Sequence, residues 1–187
     1  MVGLFPSELI HIGGDECPKV RWEKCPRCQA RIRQLGLRDK DGYTAEHYLQ
    51  GYVTDRIGKY LAERGRRIIG WDEILEGQAP SDAIVMSWRG SAGGIKAAKL
   101  GHDVIMTPNS HFYFDYYQSP DADAEPFGIG GCVTIDKVYS FDPMADLTPG
   151  QQAHILGVQA NLWTEYIASD DHLEYMLLPR LAALSEV

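Results

Sequence analysis

The chain has 187 residues, 44% hydrophobic and 24% charged, with a formal net charge of −8. That is the balance of an ordinary globular protein with a sizeable core, read as a single domain over residues 1–187. The acidity excludes a general nucleic-acid binder, which carries a basic stripe, and no run approaches the ~18 apolar residues of a membrane span.

In chain order, the first candidate strand is Leu9–Gly13, which runs into Gly14-Asp15-Glu16. Helical patterns follow. Pro26 to Leu35 starts with a proline suited to a first turn and stops at Gly36. Thr44 to Arg64 starts with a capping residue and offers Tyr48, Tyr52, Ile57, Tyr60 and Leu61 as an apolar face. Further strands are expected at Arg67–Trp71, Ile84–Trp88, Asp103–Thr107 and Ile155–Ala160, with a helix from about Ala92 to Leu100. The runs are apolar and β-branched without strict alternation, as in strands covered on both faces. A last helix begins near Asp170 and carries Leu173, Met176, Leu177, Leu181 and Leu184. Strand alternating with helix predicts an α/β fold with a parallel sheet. The segment from Pro108 to Gln152 reads as a long loop, a feature that is usually functional in a compact domain.

Adjacent side chains on a regular strand point to opposite faces, so Asp15 and Glu16 could not converge there. Gly13 and Gly14 let the backbone leave strand geometry, and both carboxylates can then face one ligand. Alone, the pair reads equally well as a solvated acidic turn. Tryptophans and acids recur, however, at the ends of the other strands: Trp71, Trp88, and Trp163 with Glu165 two residues on. The stretch His111-Phe112-Tyr113-Phe114-Asp115-Tyr116-Tyr117 adds aromatics and a carboxylate after the fourth strand. Each tryptophan singly reads as packing. Together they would make apolar walls for the C–H faces of a sugar, with carboxylates to accept its hydroxyls.

His11-Ile12-Gly13-Gly14-Asp15-Glu16 resembles the signature of family 20 glycoside hydrolases, the β-N-acetylhexosaminidases. Gly70-Trp71-Asp72-Glu73, Ser87-Trp88, Tyr113-Phe114-Asp115 and Leu162-Trp163-Thr164-Glu165 resemble that family's later strand ends in order, and Leu178-Pro179-Arg180-Leu181 its final helix. The resemblance implies a partial TIM (β/α)8 barrel, with about five strands equivalent to strands 4 to 8. It implies an exo-acting hydrolase that removes terminal GlcNAc or GalNAc by substrate-assisted retaining catalysis, without cofactor or metal. Glu16 would be the general acid and base, Asp15 would orient the 2-acetamido group, and Tyr113 would donate to its carbonyl. Trp71, Trp88 and Trp163 would line the acetamido pocket and sugar face, and Asp115 and Glu165 would bind the outer hydroxyls. The partner is an N-acetylhexosamine-terminated glycan, with no nucleic acid and no membrane span.

The family's double-glycine motif closes its fourth strand, whereas here it begins at residue 11. The chain is therefore expected to be the C-terminal part of a larger, exported hydrolase (periplasmic, secreted or lysosome-like). Alone, it is expected to self-associate through open sheet edges and to be catalytically weak. A non-catalytic N-acetylhexosamine-binding module is the alternative. Cys25-Pro26-Arg27-Cys28, with Cys17 upstream, has the spacing of a zinc knuckle or redox pair. No clean second pair completes a zinc site, so incidental thiols or a local disulfide are the readings retained. His11 reads as a buried structural histidine, Asp72 and Glu73 as rim or structural acids. Gly128-Ile129-Gly130-Gly131 opens no helix and is not a phosphate cradle.

Overall fold

The computed structural model describes residues 2–187. Five strands form one parallel sheet: β1 (Leu9–His11), β2 (Arg67–Trp71), β3 (Ile84–Ser87), β4 (Val104–Met106) and β5 (Ile155–Val158). Their spatial order is their chain order. A doubly wound sheet reverses order at a switch point and carries helices on both faces; an unreversed one winds in a single direction, as a segment of a barrel does.

The two faces of the sheet are distinct. Ile68, Val85, Val104, Met106 and Ile155 point into the main core, shared with Leu61, Ala97, Ala98, Phe112, Phe114, Val133 and Val138. Ile69, Trp71, Ile84 and Met86 form a smaller cluster, with Leu9, Trp88 and Ile105 at its margin. Successive residues thus alternate between two apolar environments, which is why the strands read as unbroken apolar runs.

The strands end a little sooner than expected, at His11, Ser87, Met106 and Val158. Pairing nevertheless runs past the first of these ends. The Ile12 N–H donates to the Ile69 carbonyl at 2.9 Å, and the Trp71 N–H donates to the Gly13 carbonyl at 3.0 Å. Beyond β4 and β5, the Phe114 N–H reaches the Asn161 carbonyl at 2.7 Å and the Asn161 N–H the Phe112 carbonyl at 2.8 Å. These bonds carry sheet-like register out to the residues of the site.

Helix α1 (Val20–Lys24), which the sequence did not signal, precedes α2 (Pro26–Leu35). Helix α3 (Ala45–Ala62) opens with a capping box between Thr44 and His47. Its inner face is not the expected tyrosine stripe. Glu46, Leu49, Gly51, Thr54 and Leu61 are buried, whereas Ile57 and Tyr60 are exposed. Helix α4 (Ala92–Lys99) fills the β3–β4 crossover. The expected loop from 108 to 152 instead holds three short helices, α5 (Asn109–Phe112), α6 (Ile135–Tyr139) and α7 (Pro149–Gln152). Pieces of four or five residues are too short to show a helical period.

The last helix is two: α8 (Asp170–Leu177) and α9 (Arg180–Leu184). Leu178 is extended before Pro179, the conformation that a following proline favours. The break delivers Arg180 into the core, where it is 0% exposed. Its Nη1 donates to the carbonyls of Tyr116 (2.9 Å) and Val133 (3.0 Å), and its Nη2 to those of Phe114 (2.7 Å) and Met176. The guanidinium also lies 4.8 Å from the centre of the Phe114 ring. Burial lowers its titration to about 10, so it remains a cation at neutral pH.

Two expectations follow. Arg180→Met leaves four carbonyls without their donor. At about 1 kcal/mol or more for each unsatisfied buried group, urea unfolding should show a loss of at least about 3 kcal/mol, with Arg180→Lys intermediate. Among the described residues, β1 and β5 each pair on one side only, and such edges recruit further chains. Light scattering should therefore give a mass above the 20.9 kDa of one chain; a stable monomer would show that the flanking loops already block both edges.

Candidate active site

After His11 the backbone turns sharply. Gly13 and Gly14 have φ of 70° and 101°, and Glu16 itself has φ of 44°, a region that side chains other than glycine occupy at a cost of about 1–2 kcal/mol. A Cβ at Gly14 would stand 2.6 Å from Ile74 Cγ2, so only glycine fits that close approach. The turn is held from behind by α3. Gln50 Nε2 donates to the Gly14 carbonyl at 2.7 Å, while Lys19 Nζ bonds both Gln50 Oε1 and the Cys17 carbonyl. Asp15 and Glu16 are consequently presented side by side, both exposed.

The acids face a cavity of about 330 Å³ that Trp71, Trp88, Tyr113, Asp115, Trp163 and Glu165 also line. All eight residues singled out from the sequence therefore meet in one place. Their aromatic members touch in series. Trp71 and Trp163 are 6.3 Å apart between ring centres, Trp163 and Tyr113 6.3 Å, and Tyr113 and Trp88 6.2 Å with nearly parallel planes. Offset and edge-on contacts of this kind hold rings in fixed mutual orientation.

Trp88 is fixed further by Glu73, whose Oε2 accepts its indole N–H at 2.9 Å. Burial pushes the Glu73 carboxyl above its usual range. Asp72 accepts from the backbone N–H groups of Trp88 (3.0 Å) and Arg89 (3.2 Å) and from Arg89 Nε (2.6 Å). Arg89 also reaches Glu76 at 2.7 Å. Asp72 and Glu73 are thus the framework behind the cavity wall, in keeping with their structural reading.

Tyr113 and Asp115 are buried, and each titrates upward because of it. The phenol is pushed up to about 12, which keeps it a proton donor over the whole neutral range. For Asp115, burial comes first among the causes and the negative charge of Glu165 adds to it, against partial relief from Arg180. Asp115 Oδ1 is buried without a hydrogen-bond partner. A buried oxygen of this kind is short of one donor, the role a hydroxyl on a ligand can fill.

Two lining residues escaped the sequence reading, Tyr116 and Ile129. The signal for the second was the glycine cluster dismissed as a phosphate cradle. A Cβ at Gly131 would lie 2.5 Å from the Tyr116 ring, so the segment lies flat on that aromatic and brings Ile129 to the cavity. The reading of His11 needs correction. It is exposed, with its Nδ1 accepting the Gly13 N–H at 3.1 Å and its ring edge-on to Trp71 at 4.9 Å. It ends β1, the edge strand, which among the described residues has no neighbour on its outer side to cover it. All four cysteines are free thiols. Among the described residues, no three His, Cys, Asp or Glu side chains are grouped closely enough to hold a metal ion, and no helix is long and apolar enough to cross a membrane.

The glycosyl hydrolase family 20 catalytic domain model matches residues 1–187. A β-hexosaminidase of Porphyromonas gingivalis is 48% identical over 98% of the chain, and one of Vibrio furnissii 33% identical over 99%. The chain spans 23% and 30% of the lengths of these two relatives. Among solved structures, the GH20 exo β-N-acetylglucosaminidase of Vibrio harveyi in complex with N-acetylglucosamine superposes with a TM-score of 0.83 at 31% identity, over 99% of this chain and 28% of that one. The five parallel strands and their helices match part of the barrel of that family, and the chain belongs to glycosyl hydrolase family 20 as a portion of its catalytic domain.

Proposed function

We propose that the protein to which this chain belongs is an exo-acting β-N-acetylhexosaminidase, removing terminal GlcNAc or GalNAc from glycans or chitooligosaccharides by substrate-assisted retaining catalysis. The observation that carries this reading is the convergence of Asp15, Glu16, Tyr113 and three tryptophans on one cavity. Its volume, about 330 Å³, is at the small end of ligand pockets and suits one sugar ring better than a long chain. The reading also agrees with the N-acetylglucosamine complex of the Vibrio harveyi relative.

In this scheme Glu16 protonates the departing glycosidic oxygen and later takes a proton from water. The 2-acetamido carbonyl oxygen of the substrate, rather than a protein carboxylate, attacks the anomeric carbon, and a cyclic oxazolinium forms. Substrate assistance of this type is a recognised departure from the two-carboxylate scheme. Asp15 orients the acetamido N–H and stabilises the positive charge that develops on it. Tyr113, protonated throughout the neutral range, donates to the acetamido oxygen. The aromatic walls restrict the group to attacking geometry, which supplies proximity and orientation. Asp115 and Glu165 accept hydrogen bonds from the outer hydroxyls. In the isolated chain the sheet is open and the acid pair is exposed, so its turnover should be far below that of the whole enzyme.

The mechanism can be tested in the whole enzyme. Glu16→Gln should cut hydrolysis of alkyl and sugar aglycones by about 10²–10⁴-fold, while activated aryl glycosides lose much less in the first step. Equal and modest losses on both would remove Glu16 from the acid role. Asp15→Asn should lower the rate and weaken binding of an oxazoline-mimicking thiazoline. Thiazoline binding without turnover on any substrate would favour a binding module instead.

Asp115 links binding to pH. Its folded-state titration lies above the unfolded value, so the buried charge opposes folding at neutral pH, and the penalty fades as pH falls through the folded-state value. Asp115→Asn should therefore raise the urea midpoint at pH 7, with the gain vanishing in acid. The same change should weaken sugar binding about 10- to 100-fold, the worth of a hydrogen bond to a charged group. Unchanged sugar affinity would show that Asp115 does not contact the ligand.

A further inference from the structure

Cys25 and Cys28 lie outside the cavity and take no part in the chemistry above. Cys25 is the residue on which α2 starts, extended in backbone (φ −82°, ψ 116°), and Cys28 is the third residue of that ten-residue helix. An extended first residue curls its side chain over the third residue of the helix, as in a capping box. Here thiols occupy those two positions. Both are free, and both are partly exposed.

We propose that Cys25 and Cys28 are a redox couple, a dithiol that closes to an intramolecular disulfide at the start of α2, with Cys25 as the attacking sulfur. The adjacent N–H and S–H of Cys28 polarise it, with Arg27 adding positive charge, and together they draw its titration below the ordinary thiol range. Cys28, whose S–H points at Cys25, is pushed the other way. The position agrees: Cys25 is the residue on which the helix starts, and a helix N-terminus favours the thiolate.

The reaction balances with a low-molecular-weight disulfide such as oxidised glutathione. The Cys25 thiolate attacks one of its sulfurs, forming a mixed disulfide and expelling one glutathione thiolate. Cys28 gives up its proton and attacks the Cys25 sulfur, forming the Cys25–Cys28 bond and expelling the second. The protein loses two electrons, the small disulfide gains them, and the two cysteine protons end on the two released thiols.

The couple also has a place in the fold. The Cys25 N–H donates to the Trp22 carbonyl at 3.2 Å, closing α1 onto α2. Gln29, one residue past Cys28, donates to the same carbonyl at 3.0 Å and to Glu46 on α3 at 2.8 Å. A disulfide here would stiffen the turn from α1 into α2, which Gln29 ties to α3, the helix whose Gln50 holds the turn of the acid pair.

The 187-residue chain, equilibrated in glutathione buffers of increasing oxidation, alkylated and mapped by mass spectrometry, tests the idea. Cys25 and Cys28 should lose alkylation together, as a peptide 2 Da lighter, while exposed Cys132 still alkylates. Cys28→Ser should accumulate a glutathione adduct on Cys25, and in the reduced protein Cys25 should react with iodoacetamide at least several-fold faster than Cys28. Independent glutathionylation of Cys25 and Cys28, or glutathionylation of Cys132 before either, would overturn the proposal. Neither result depends on whether the protein hydrolyses a sugar.

Discussion

One cation, with no acidic partner in contact among the described residues, holds the cavity end of the molecule together. The Arg180 guanidinium is solvated not by water or a carboxylate but by four backbone carbonyls, from Phe114, Tyr116, Val133 and Met176. Those residues belong to three stretches with no continuous strand or helix in common. Water would otherwise have to solvate the carbonyls, and a loop carrying bare carbonyls cannot be buried. By supplying their donors from one rigid planar group, Arg180 allows the segment from 112 to 117 to run through the core with Tyr113 and Asp115 facing the cavity. The planar fork matters, since a point charge on a flexible stem would not address four acceptors in different directions.

A similar economy governs the opposite wall. Trp88 sits where a polar backbone turn leaves β3, and its indole and backbone N–H groups are both taken by acids from the turn after β2. Arg89 then offsets the accumulated negative charge of Asp72, Glu73 and Glu76. The tryptophan is therefore oriented by hydrogen bonds at its rim and by the stacked Tyr113 ring at 6.2 Å. Buried acids of this kind serve orientation rather than net stability, because desolvation consumes most of what the pairing returns.

The strands were legible because each has two apolar faces and its polar residues, His11, Arg67 and Ser87, stand only at the ends. Their ends were less so: Trp88 and Ala160 continue the apolar run but have already left the ladder. Helix α3 was placed correctly and its inner face misread, because the eye follows Tyr52, Ile57 and Tyr60, whereas the closest packing is made by Gly51 and Thr54. The eight cavity residues were legible for a simple reason. Each lies at or after the end of an apolar run, the end of a parallel sheet of this winding at which the cavity opens. Ile129 and Arg180 carry no such marker. One reaches the cavity only through tertiary packing on Tyr116, and the other looks in sequence like any surface cation near the end of a chain.

Glu16 stands in a left-handed backbone conformation between a glycine pair and a proline, tethered through Gln50 and Lys19 to α3. At that position the demands of folding and of chemistry point to different amino acids. Glycine or asparagine would relax the turn, and under the proposed mechanism each would leave the cavity without its proton donor. Screening for heat resistance alone would therefore tend to erase the residue that the fold strains to display. The tolerance for that strain is stored in the α3 tether, well away from the cavity, where a change would look innocent.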